Sequence, residues 1–281
     1  MSVPIHDQGY RRYAGRRAAV GGAWLVIARH HILPMLRQRR FLLVLLLAWV
    51  PFIVRAVQIY VASNYQQVSF LGVTAQTFRE FLAQQSLFVF LVSIGLSGLI
   101  ADDRRANALQ LYLSKPLTRT EYIVGKLTTL LVFLLGVTLL PAMLLLLLQI
   151  LFAGSLAFLT ANLYLVPAIT LYAVLETVLS ATVLLALSSL SNSRRFVSIM
   201  YAGAVFFTAA MSRALRNITG SASWAWLSPS DTLGVVGDTI FRIGNKRPDI
   251  PPPVAAAVVA VLIVAAVIVL ERRVRGVEVV T

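Results

Sequence analysis

Few residues in this chain stand where their types could do chemistry, and the most telling are two charges set in apolar runs, Arg55 and Glu176. A charge inside such a run is costly and usually faces a bundle interior or a cavity. Each therefore has two readings. Arg55 either lines a translocation path or extends its stem to bring the guanidinium to the interface. Glu176 either lines the same path or packs as a protonated or hydrogen-bonded residue. Motifs for covalent or metal chemistry do not occur: there is no H-E-x-x-H, no G-x-S-x-G and no aspartate pair within an apolar run. Gly125-Lys126 is followed by Leu127 and lacks the upstream glycine of G-x-x-x-x-G-K-[ST]. The chain is therefore not expected to hydrolyse ATP by that route. His30 and His31 are adjacent, and adjacent helical residues do not converge on one face, so a headgroup-boundary position is expected rather than a metal site. The absence of cysteine excludes disulfides, thiolate metal sites and cysteine nucleophiles. Asn217-Ile218-Thr219 matches a glycosylation tripeptide that is common by chance.

The elements that must position these residues are apolar helices. The chain has 281 residues, 58% hydrophobic and 13% charged, with a mean hydropathy of +0.81. Soluble domains are about 45–50% apolar and about 25% charged. Six runs are long enough to cross a ~30 Å hydrocarbon core, at about Phe41–Val61, Phe81–Ala101, Leu127–Phe152, Leu163–Leu190, Phe196–Ser212 and Val254–Leu270. The runs are unbroken rather than alternating, which predicts an all-α polytopic fold of six spanning helices and not a barrel. Pro51 is expected to kink the first span, and Pro251-Pro252-Pro253 stops the chain before the last. The first forty residues hold eight arginines and no short apolar stretch with a small-residue cleavage site, so no signal peptide is expected.

The net charge of +14 comes from 25 Lys and Arg against 11 Asp and Glu. These cations lie between the apolar runs rather than on one face, which argues against nucleic acid as a partner and for the positive-inside rule. Of the 25, eighteen fall on one side of the six-span plan and six on the other, with Arg79, Arg213, Arg216, Arg242, Lys246 and Arg247 assigned to the poorer side, Lys126 to the richer and Arg55 left within a span. The richer side, which carries both termini, is expected to be the cytoplasm.

Three stretches lie outside the spans. From Ala18 to Gln38, the spacing of Val20, Trp24, Ile27, Ala28, Ile32 and Met35 predicts an amphipathic interfacial helix, broken by Pro34. The loop 213–253 is expected on the outer side, with Ser230-Asp231 capping a short helix towards Phe241. The cytoplasmic loop 102–126 is the most informative. Asp102 and Asp103 favour a helix start and Pro116 an end. The apolar residues Leu109, Leu111, Tyr112 and Leu113 predict a surface for a partner rather than a solvated loop.

At this loop the chain resembles the ABC type-2 permeases. That family carries an acidic residue after its second span, then Gly-Thr-Leu, Leu-Leu-Ser-x-Pro, Ser/Thr-Arg and a Gly-Lys entering the third span. Leu109, Leu113-Ser114-Lys115-Pro116, Thr118-Arg119 and Gly125-Lys126 match in order and spacing. Asp103 stands in place of the usual Glu, and Asn107-Ala108 replace Gly-Thr. Trp226-Leu227-Ser228-Pro229 is similar to the family's outer segment before the last span. The resemblance extends over the six-span plan and the N-terminal interfacial helix. It implies a transmembrane subunit of the cell membrane that dimerises and binds two ATPase subunits, with ATP and Mg held in those partners and no cofactor in this chain. It also implies that the loop is a coupling helix, so that Asp103, Leu109, Leu111, Leu113, Lys115, Pro116 and Arg119 serve partner coupling. Two other classes fit the composition: an ATPase-linked anchor for an assembly machine, and a membrane-embedded lipid-modifying enzyme. The enzyme would need polar groups clustered at one depth, and Arg55, Gln58 and Glu176 are the candidates. A reporter fused after Thr281 is expected to read as cytoplasmic; an external reading would overturn the orientation and the loop placement together.

Overall fold

The computed structural model describes residues 22–64, 72–108, 118–153, 157–244 and 250–275. The protein is an all-α polytopic membrane protein: six helical stretches are long and apolar enough to span, at Arg39–Asn64, Ala75–Arg105, Arg119–Ala153, Leu165–Leu190, Arg194–Thr219 and Pro252–Val274. In chain order the helices are α1 (Ala23–Arg37), α2 (Arg39–Ala48), α3 (Val50–Asn64), α4 (Ala75–Gly95), α5 (Gly98–Arg105), α6 (Arg119–Val137) and α7 (Leu139–Ala153). They continue with α8 (Ala157–Ala161), α9 (Leu165–Leu190), α10 (Arg194–Thr219), α11 (Pro229–Ile240) and α12 (Pro252–Arg275). Helix is dictated by the medium, since hydrocarbon offers no partner for a free backbone N–H or C=O.

Helix α9 is the axis of the bundle, with 61% of its apolar window enclosed against 11% for the first span and 17% for the fifth. Its small residues Ala168, Ala173 and Ala181 are buried and let neighbours approach closely. Apolar side chains pack at both ends of this axis. One cluster, at the arginine-rich end, includes Phe41, Leu99, Tyr122, Leu130 and Val197. The other, at the opposite end, includes Ile59, Phe78, Leu145, Leu165 and Phe241.

Three spans are interrupted, each for a chemical reason. The first breaks at Trp49 between α2 and α3, as expected from Pro51, which has no N–H to return to the preceding turn. Gln85 of α4 donates to the Ala48 carbonyl there, at 3.1 Å. The third breaks at Thr138, just ahead of Pro141. The second turns at Leu96-Ser97, where Ser188 of α9 takes over the backbone. Its hydroxyl donates to the Ser97 carbonyl at 2.9 Å and accepts from the Ala101 N–H at 3.0 Å.

Several expectations need correction. Lys126 and Arg79, assigned to loops by charge, lie inside α6 and α4 and are buried. Asp102 and Asp103 do not begin a separate helix; they end α5, the continuation of the second span. Pro34 does not break α1, which runs on to Arg37. The stretch 213–253 is not an open loop: α10 continues to Thr219, and Thr232 to Asp238 of α11 are buried. The cap of α11 is Ser228 rather than Ser230, accepting from the Asp231 N–H at 3.3 Å. Leu109, Leu111, Leu113, Lys115 and Pro116 lie outside the described residues.

The predicted amphipathic face of α1 is real and rests on protein: Ile27 and Ala28 are buried, and Ile27 joins the core cluster that includes Tyr122 and Leu130 of α6. Gly125 makes this approach possible, because a Cβ there would come within 2.9 Å of both the Trp24 carbonyl and the Ile27 side chain. Gly125→Val is expected to destabilise the protein by about 1–3 kcal/mol through overpacking, read by unfolding in detergent. Gly136→Val, which meets nothing within 4 Å, is expected to leave the midpoint nearly unchanged; equal effects would remove the close-packing argument.

Candidate functional site

Two polar centres lie in the bundle. At the arginine-rich end, Tyr122 and Lys126 stand one turn apart on α6, and Ile27 and His31 one turn apart on α1. Asp103 comes in from the end of α5. The Lys126 ammonium, fully enclosed, lies 2.6 Å from Asp103 Oδ2, and the Tyr122 hydroxyl donates to the same oxygen at 2.8 Å. Lys126 Nζ is also 2.7 Å from His31 Nε2. The other ring nitrogen, Nδ1, lies 2.8 Å from the Ile27 carbonyl. A carbonyl only accepts, so Nδ1 carries the proton and Nε2 accepts from Lys126. One ammonium thus ties α1, α5 and α6 together.

Asp103, expected to face a partner, is therefore turned inward and anchors the base of the loop. Arg119 begins α6 behind a reciprocal cap in which Glu121 N–H donates to Thr118 Oγ1 at 3.2 Å and Thr118 N–H donates to Glu121 Oε2 at 3.0 Å. It lines a groove of about 520 Å³ with Glu271, Leu270 and Val274 of α12.

The second centre lies midway along α9. Glu176 is 2% exposed. Ser86 of α4 donates to its Oε1 at 2.5 Å, and its Oε2 has no hydrogen-bond partner. It faces a cavity of about 430 Å³. Arg79, Ala83, Ser86 and Phe90 of α4 line this cavity at helical spacing, as do Tyr172, Glu176, Leu179 and Val183 of α9. Residues of α10, the first turns of α11 and Leu262 of α12 close it.

Arg79 was not foreseen as a site residue. It donates through Nε to Asp238 Oδ1 at 3.0 Å and through Nη2 to the Gly234 carbonyl at 3.0 Å, and it lies 4.8 Å above the Tyr172 ring. This pins α11 against α4. The sequence signal was an aspartate ending an apolar helix that opens with Ser228-Pro229. Arg55 and Glu176, paired by depth in the sequence, are not brought together. Arg55 bonds Gln58 at 2.8 Å and pairs with the half-exposed Glu80 at 3.4 Å, outside the lining of the cavity. The cavity combines apolar walls, hydroxyls, one carboxylate and one guanidinium already paired with Asp238, which is the chemistry of binding.

No family model matches this chain, and no curated protein matches it. The first centre carries a pH signature. His31 is pushed below its ordinary value first by burial and then by the Lys126 charge; Asp103 and the Ile27 bond oppose the shift. The folded protein therefore keeps His31 neutral where the unfolded chain would protonate it. Stability is expected to fall as pH drops below about 6.5. His31→Gln should flatten that dependence in detergent unfolding between about pH 7 and 5; identical slopes for the two proteins would discard the assignment.

Proposed function

We propose that this chain is the permease subunit of an ATP-binding-cassette transporter, working as a dimer with partner ATPase subunits. The observation that carries the reading is the ammonium clamp. Asp103 precedes the segment holding Leu113-Ser114-Lys115-Pro116, and Lys126 belongs to the Gly125-Lys126 pair that follows it. Their ion pair, with His31 added, makes the flanks of that segment and the N-terminal helix one mechanical unit. In this reading the unit faces the cytoplasm and receives the thrust of an ATPase closing on ATP.

The thrust has a physical route to the cavity. The helix that carries Asp103 in its last turn continues, through the turn held by Ser188, into α4, and α4 carries Arg79 and Ser86 into the cavity wall. A shift of α4 against α9 changes the Ser86–Glu176 contact. A bound molecule that prefers one arrangement shifts the balance between the two. The first span, 11% enclosed, and the fifth, 17% enclosed, leave apolar faces for lipid and a second copy.

Replacing Leu111 with Asp tests the coupling assignment. An unpaired charge buried in a contact costs several kcal/mol, and each ~1.4 kcal/mol is tenfold in affinity. The expected outcome is normal membrane levels with loss of bound ATPase and of transport. Lys115→Ala should do far less, since an exposed pair contributes at most about 1 kcal/mol. Normal accumulation of Leu111→Asp with a working ATPase still attached would refute the assignment. Low protein levels would mean that Leu111 packs on the protein's own spans.

A further inference from the structure

We infer that the cavity beside Glu176 binds an apolar molecule carrying one organic cation, with the cationic group seated against the Glu176 carboxylate and beside the Phe90 and Tyr201 rings. Three observations converge on this chemistry. The first is the carboxylate. Glu176 is 2% exposed, is satisfied by Ser86 on one oxygen only, and has its Oε2 without a partner. Buried polar atoms are nearly always paired, so an unpaired carboxylate oxygen on a residue that lines a cavity is a reason to look for a ligand there.

The second is the charge balance. Arg79 and Glu176 are the charged residues lining the cavity. The Arg79 charge is met by Asp238 at 3.0 Å and its Nη2 by the Gly234 carbonyl at 3.0 Å, while its Nη1 has no hydrogen-bond partner. The charge left over at the cavity is that of the carboxylate, and it is complemented by a cation. An anion would meet Glu176 unscreened.

The third is the wall. Phe90 and Tyr201 stack with ring centroids 5.7 Å apart and an interplanar angle of 16°, and Glu176 lies within electrostatic reach of Tyr201. Aromatic faces attract organic cations, most strongly where water is excluded. Leu179, Val183 and Leu262 give the wall an aliphatic part, and Ser180 and Thr208 add hydroxyls. The volume, about 430 Å³, falls within the ~300–1,000 Å³ of pockets that take drug-sized molecules. The exposed lining residues are small: Ala83 on α4, Ala204 on α10 and Ser230 on α11. They mark where the lining meets the surface of the bundle.

That the bound cation is a transported substrate rests on the permease reading; the binding itself does not. The test uses the full chain in phosphatidylcholine nanodiscs, with tetraphenylphosphonium and tetraphenylborate as probes of like shape and opposite charge. Partitioning into empty nanodiscs is subtracted. The expected result is saturable binding of the phosphonium at least tenfold tighter than the borate. Glu176→Gln, which keeps the acceptor for Ser86 and removes the charge, should weaken the phosphonium at least tenfold and spare the borate. Thr208→Trp, which fills the cavity from α10 without touching Glu176, should abolish saturable phosphonium binding and serves if the first variant fails to fold. Equal binding of the two ions, or undiminished phosphonium binding in either folded variant, overturns the inference. Co-purification with an ATPase is scored separately, so loss of the permease reading and loss of the cation site are distinguishable results.

Discussion

The Lys126 ammonium has no exposed surface, and it is tolerated there because Asp103 meets it at 2.6 Å from the neighbouring helix. A lone charge at such a place would carry a desolvation penalty of several kcal/mol. Most of the arginine-rich end follows from this one contact. It sets the second span against the third and places the Tyr122 hydroxyl on the same carboxylate. It also offers His31 a donor, which holds α1 along α6 instead of leaving it to lie on lipid. Gly125 is the steric counterpart: without a side chain it lets α1 come close enough for His31 to reach.

The opposite half solves the same problem with different residues. Arg79 enters the bundle on α4 and is neutralised by Asp238 from α11, a helix too short to span that is nonetheless buried along most of its length. The ion pair and the Gly234 carbonyl contact give that helix a fixed seat, and Arg216 adds a weaker tie to Asp231 at 3.7 Å. Between these two matched pairs lies Glu176, with a hydroxyl on one oxygen and nothing on the other. Lys126 and Arg79 each meet a carboxylate, whereas Glu176, on the cavity wall, meets a hydroxyl. That contrast is the reason to read Glu176 as a binding group rather than a packing one.

Mechanically the two halves share one helix. The second span presents its first turns to Asp238, its middle to Glu176 and its end to Lys126, and the turn at Leu96-Ser97 is held by Ser188 of the central helix. A load applied near Asp103 therefore has a path to the cavity wall through residues that pack and hydrogen-bond throughout. No other span joins all three polar contacts.

The sequence by itself determined the number and character of the spans, because uninterrupted apolar runs in hydrocarbon have no stable alternative to helix. It also determined the inward face of α1 and the break near Pro51, since helical periodicity and the missing proline N–H are local facts. The pairing of charges was left to the tertiary structure. Lys126 and Arg79 read as loop cations because their partners, Asp103 and Asp238, lie far away in the chain or across an unseen turn, and position along the sequence carries no information about which helices meet. The burial of α11 was hidden for the same reason: its glycines and its aspartate look like a loop until Arg79 arrives from another helix. The cavity beside Glu176 exists because five helices leave a gap there, and a gap is a property of packing that no single segment encodes.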